Sequence, residues 1–169
     1  SNSFGNDFFN KITLHLHNII QSDYTFIAKI DKDKYSANTI SLVAKGNLAE
    51  NFEYSLSYTP CANVADNSIC CYPEDVTGLF PQDQLLIDMN IEAYLGVPVK
   101  DKDGQVMGII VALYENPIQN EKTTTSLFEI FSTDFSSIKI FSYEIRSLTF
   151  IPAQLRIETL GRLDDAFLK

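Results

Sequence analysis

At 169 residues and 19.0 kDa the chain has the size of one ordinary domain, long enough for a full core and too short for a multi-domain enzyme. Its 45% hydrophobic and 21% charged residues, with 7 Gly and 6 Pro, are those of a chain that folds. Against 13 Lys+Arg stand 22 Asp+Glu, a net charge of -9 that repels nucleic acid and anionic lipid, and the longest stretch without a charge, Tyr54 to Ala65, is far short of a membrane span.

In chain order, residues 1–3 are set apart as a cloning remnant, 4–150 as the domain and 151–169 as a helical extension towards a downstream module. Between Asn6 and Gln21 the apolar residues Phe9, Ile12, Leu16, Ile19 and Ile20 fall at helical spacing, with Asn6 or Asp7 as the cap. From Tyr24 the period is two: Tyr24, Phe26, Ala28 and Ile30 share one face of a strand that ends in the polar turn Asp31 to Lys34. Asn38 to Ala44 alternates through Ile40 and Leu42, and Phe52 to Tyr58 alternates through Tyr54 and Leu56, which predicts two further strands. Pro60 stops the second ladder, because proline has no N–H to donate.

An irregular surface segment is expected from about Thr59 to Leu79, long enough to suggest that it works or moves. Pro81, Leu85, Leu86 and Met89 read as a short helix with proline in its first turn. Ile91 to Val99 and Val106 to Tyr114 are strands joined by Asp101-Lys102-Asp103-Gly104, and the second, apolar on both faces, belongs in mid-sheet. From Lys122 to about Leu148 a long helix carries Phe128, Phe131, Phe135, Ile138 and Ile145 along one stripe and Leu127, Ile130, Phe141 and Leu148 along another. Pro152 ends it, and Leu155 to Leu168 has the spacing of another short helix.

Three sequence blocks resemble those of the GAF domain: Tyr54 to Cys61, ending Thr59-Pro60-Cys61; Leu79-Phe80-Pro81-Gln82-Asp83; and Tyr94-Leu95-Gly96-Val97-Pro98-Val99 with the Asp101 to Gly104 turn and Val106 to Ile109. The resemblance covers roughly Phe8 to Tyr143. It implies an α+β, PAS-related fold: an antiparallel five- or six-stranded sheet with helices packed on one face and a ligand pocket on the other. It also implies a non-catalytic, small-molecule-sensing input domain of a larger bacterial signalling protein, located in the cytoplasm. In that fold Tyr58, Cys61, Phe80, Leu85, Met89 and Tyr94 converge on the pocket, with Asp83 at its rim.

The chemistry-bearing residues narrow this further. No Gly-rich phosphate loop is present, and His15 and His17, two apart on a helix, cannot share a metal. The acidic turns lack the spacing of a calcium loop. Cys61, Cys70 and Cys71 are an odd set that suits a reducing compartment better than a disulfide framework. The favoured reading of Cys61 is a small buried hydrophobe closing the pocket. Some GAF-fold proteins reduce free methionine sulfoxide with cysteines of this loop and one more before the Gly-Val-Pro-like strand. Here that position, Leu86 to Glu92, has no cysteine, so such a redox enzyme or thiol sensor stands as the alternative, beside a purely structural dimerisation module. No Cys-His pair for a bilin and no Asn-Lys with a downstream Phe-x-x-x-Asp-Glu for a cyclic nucleotide is found; the ligand and any cofactor are left unidentified. Phe131, Ile138 and Ile145 recur every seven residues with Phe128 and Phe135 between them, which predicts a parallel homodimer seam, although one such stripe can equally pack on its own sheet.

Overall fold

The computed structural model describes residues 3–137, and the side chains of residues 7–132. The chain forms α1 (Ser3–Ile20), β1 (Tyr24–Asp31), β2 (Ser36–Ala44), β3 (Asn47–Ala49), β4 (Glu53–Ser55), α2 (Pro60–Ala65), β5 (Cys70–Tyr72), α3 (Val76–Leu79), α4 (Gln84–Asp88), β6 (Ala93–Lys100), β7 (Val106–Tyr114) and α5 (Glu121–Ser137). All the strands pair antiparallel in one seven-stranded sheet of order β3-β2-β1-β7-β6-β5, with β4 also on β2. This is the expected α+β architecture, with the extra strands coming from a split edge and from β5.

The hairpin of β6 and β7 is centred on a turn in which Asp101 Oδ1 accepts from the backbone N–H groups of Asp103 and Gln105, at 2.8 and 3.0 Å, while Gly104 supplies a φ of +78°. β7 lies between β1 and β6, and its two-faced apolar character follows from that position: Ile110 and Ala112 face α1 and α5, while Ile109, Val111 and Leu113 face the short helices.

α1 runs from Ser3, so Asn6 and Asp7 lie inside it rather than capping it. It lays Phe8, Phe9, Ile12, Leu16 and Ile20 on the sheet, with Ile19 turned to solvent. On the same face α5 buries Phe128 (0% exposed) and Phe131 (3%) against Leu95, Val97 and Val99 of β6. Those two phenylalanines are therefore core residues of their own domain, which overturns the expectation that they form a dimer seam: the β6 surface consumes them. Phe135, Ile138 and Ile145, like the helix predicted over Leu155 to Leu168, lie outside the described side chains.

The alternation expected along β2 is broken. Ile27 pairs with Ser41 but Ala28 with Thr39, so Ile40 is an extra residue in a bulge. Ile40 consequently packs with the α1 side and Leu42 with the opposite side, instead of sharing one face. The segment expected to be irregular, Thr59 to Leu79, contains α2, β5 and α3. Nor does Pro81 open the following helix, which starts at Gln84 behind the cap Asp83.

Candidate functional site

On the face of the sheet opposite α1 and α5, the segments between β4 and β6 fold over a cavity of about 240 Å³. Its floor is buried: Phe26 from β1, Leu113 from β7, Tyr94 from β6, Cys61 from α2 and Leu86 from α4. Its mouth is partly exposed, framed by Phe52, Ser55, Ser57, Gln82, Gln84 and Leu85.

Each wall has a local cause. Tyr58 takes φ +64°, a left-handed conformation rare for a bulky residue, and this turn throws the chain out of the sheet and into α2, where Pro60 occupies the first turn. Leu56, fully buried, anchors the turn, since its carbonyl accepts from both Thr59 N–H at 3.2 Å and Thr59 Oγ1 at 2.8 Å. On the far side Asp83 Oδ1 accepts from Leu86 N–H at 3.2 Å and caps α4, and Ile91 N–H closes back on the Leu86 carbonyl at 3.0 Å.

At the floor, Tyr54 Oη and Tyr94 Oη both donate to Cys61 Sγ, at 3.3 and 3.1 Å. Gly96 makes this possible: a Cβ there would meet the Tyr94 phenol and Val64 of α2 at under 3 Å, so the missing side chain is the space in which the Tyr94 ring lies. Burial pushes the Cys61 thiol up to about 11 against the pull of the two tyrosine hydroxyls, leaving it neutral at pH 7. Burial likewise raises Tyr54 and Tyr94 well above the usual phenol range, so both remain hydrogen-bond donors. Asp83, only 8% exposed, is raised by burial and partly restored by the Leu86 and Leu85 amides. Its charge is felt at both Tyr54 and Cys61.

Of the residues expected at the pocket, Cys61, Asp83, Leu85 and Tyr94 line the cavity. Three stand elsewhere. Tyr58 is 66% exposed because its positive φ turns it outward; Phe80 packs edge-on against Tyr72, ring centres 5.1 Å apart; Met89 caps the C-terminus of α4. Phe26, Phe52 and Tyr54 line it without having been singled out, although all three sat in the alternating runs. Cys70 and Cys71, adjacent on β5, face opposite sides of the sheet, and none of the three cysteines is in a disulfide. Among the described residues no group of three or more His, Cys, Asp or Glu is placed to hold a metal.

A family model for the GAF domain matches residues 6–155. The chain belongs to the GAF family. Solved structures similar to this GAF domain include the GAF domain of Acinetobacter phosphoenolpyruvate-protein phosphotransferase, 16% identical with a TM-score of 0.65 over 83% of this chain and 83% of that one. The PixJ GAF domain of Thermosynechococcus elongatus in its blue-light absorbing form is 17% identical, with a TM-score of 0.60 over 85% and 92%. The chromophore-binding domain of Stigmatella aurantiaca bacteriophytochrome, as a Thr289His mutant, is 12% identical, with a TM-score of 0.63 over 79% of this chain and 53% of that one. At these identities the likeness is one of fold. No curated protein sequence matches the chain. Among the described residues of this GAF domain no helix is long and apolar enough to cross a membrane.

Proposed function

We propose that this GAF domain is a non-catalytic signal-input module that binds a small molecule in the cavity beneath α2 and α4, within a larger bacterial, cytoplasmic signalling protein whose output lies beyond residues 151–169. The observation that carries the reading is the cavity itself: a mostly apolar chamber with a buried floor and a few polar groups, the usual make-up of a small-molecule site. The solved relatives that bind chromophores, as their descriptions state, use the same fold.

The redox alternative is disfavoured by Cys61. A nucleophilic or redox-active cysteine needs thiolate character, and this thiol is buried, hydrogen-bonded and raised to about 11. Intact mass under non-denaturing and denaturing conditions tests both readings. A small molecule retained only under non-denaturing conditions supports sensing, whereas a mass about 2 Da low in the denatured chain, the loss of two hydrogens to a disulfide, overturns the assignment of unpaired thiols.

Homodimerisation is part of the same proposal, along a different edge of α5 from the one first expected. Ile130 is 62% exposed and Leu127 is exposed beside it, while Phe128 and Phe131 are consumed by the core. Sedimentation equilibrium of the wild type beside Ile130→Glu is expected to show a dimer weakened by the substitution. A wild type monomeric at high micromolar concentration overturns it.

A further inference from the structure

We propose that the cavity is built for a small organic ammonium ion, an amine or a quaternary ammonium, and against anionic ligands. The inference rests on the reading of the cavity as a ligand site and adds the charge and class of what it takes.

Four aromatic rings line the chamber: Phe26, Phe52, Tyr54 and Tyr94. Tyr54 stands edge-on to Phe26 with ring centres 6.0 Å apart and tilted against Phe52 at 5.7 Å, so the rings meet at angles rather than stacking flat. Aromatic rings attract a cation through their quadrupoles, most strongly where water is excluded. The wall carries a single ionisable carboxylate, Asp83, and no Lys, Arg or His. Its charge reaches the floor, where it is felt at Tyr54 and Cys61.

The sequence around the cavity repeats this bias. From Gly46 to Val99, which contributes every wall except Phe26 and Leu113, there are eight Asp and Glu and no Lys, Arg or His. Every arginine of the chain falls after residue 137, so the described residues hold no guanidinium to grip a phosphate or carboxylate. An excess of carboxylates without nearby cationic side chains in the sequence favours cations over anions. Inside, the Asp83 carboxylate is held at a cost of desolvation that raises its pKa, and a bound ammonium offsets that cost where a neutral or anionic ligand does not.

The test is a titration of the purified chain, followed by NMR of the cavity residues, with choline, its neutral isostere 3,3-dimethylbutan-1-ol, and 3,3-dimethylbutanoate. Choline is expected to bind on the order of tenfold more tightly than the alcohol, with the carboxylate weakest. Asp83→Asn, which keeps an N-cap side chain, is expected to bring choline to within about threefold of the alcohol. Leu85→Lys, at the exposed mouth, is expected to weaken choline by a similar factor. If the alcohol or the carboxylate binds as tightly as choline, or if both variants leave choline's preference intact, the charge assignment is overturned while the cavity stands as a ligand site. If none of the probes at millimolar concentration shifts the resonances of Tyr94 and Leu113, the cavity reading fails and this inference with it.

Discussion

The two faces of one sheet are covered in opposite ways. On one, two long helices drive phenylalanines into the strands and leave a continuous apolar contact from Phe8 to Phe131. On the other, three helices of four to six residues cover the strands, and α2 and α4 border a cavity over Phe26 and Leu113. A long helix offers a stripe of side chains at regular spacing that can close a surface without gaps. Short helices offer one to three buried side chains each, here Pro60, Cys61 and Val64 of α2, Val76 of α3 and Leu86 of α4, and the space between α2 and α4 is where the cavity lies. Both faces carry a buried core, but the first is closed by its helices and the second keeps the cavity.

The hardest test of that division is Phe128→Ala. Removing a fully buried ring from the α5 side is expected to cost about 3–5 kcal/mol, whereas Leu85→Ala at the cavity mouth is expected to change stability by only about 0.5 kcal/mol, both read from urea unfolding. Comparable losses would show that the cavity face is as load-carrying as the helical one. Next in size is Gly96→Ala, expected to cost about 1–3 kcal/mol, because its Cβ would collide with the Tyr94 phenol and Val64. Unlike Phe128→Ala it acts on the cavity face, so it is also expected to shift Tyr94 and loosen its hydrogen bond to Cys61, visible in the Tyr94 ring resonances.

Acid sharpens the comparison on the helical face. His17 is buried at the end of α1, where its Nε2 accepts from Gly46 N–H at 3.1 Å and its Nδ1 meets Thr25 Oγ1 at 3.0 Å and Ser22 Oγ at 3.2 Å. The bond from Gly46 requires an unprotonated Nε2. Burial lowers the imidazole pKa below 6.5, with Asp23 pulling it partly back. Below pH 6.5 the unfolded chain therefore binds a proton that the folded chain resists, and stability is expected to fall as the pH drops from 6.5 towards the folded pKa. Unfolding free energy measured from pH 7.5 to 5.5 should show this slope, and His17→Gln should flatten it. An equal slope in the variant would assign the effect to other groups. The smallest effect is expected at Tyr58: Asn tolerates positive φ and the ring is 66% exposed, so Tyr58→Asn should raise stability by up to about 1 kcal/mol in thermal unfolding.

Legibility in the sequence follows the same division. β6, β7 and their Asp-Gly turn could be read because period, turn chemistry and two-faced apolarity agree over long runs. Along β2 a single inserted residue, Ile40, reverses the phase, and nothing in Asn38 to Ala44 announces it. The stripe of α5 was visible, but a sequence does not say whether Phe128 and Phe131 meet the chain's own β6 or a second copy. On the cavity face the elements are too short to show a period at all. Cys61, Asp83 and Tyr94 could be placed because they sit in family motifs. Tyr58 could not, since one positive φ inverts the direction its alternation predicts. Phe26 and Phe52 were legible as strand residues only, and Tyr54 as a strand residue at the head of a family block, because alternation separates the two faces of a sheet without showing which face is left uncovered.

The split edge of the sheet has a consequence for how copies of this chain can meet. β2 is bordered by two strands of three residues, β3 on its Leu42–Ala44 end and β4 on its Ser36–Asn38 end. Between them, at the bulge, side chains complete the bonding: Thr39 Oγ1 accepts from Phe52 N–H at 2.8 Å, and Asn51 Nδ2 donates to the Ile40 carbonyl at 3.2 Å. The opposite edge, β5, is also only three residues long. No edge strand is longer than three residues, which disfavours growth of the sheet from molecule to molecule at both ends of the described fold.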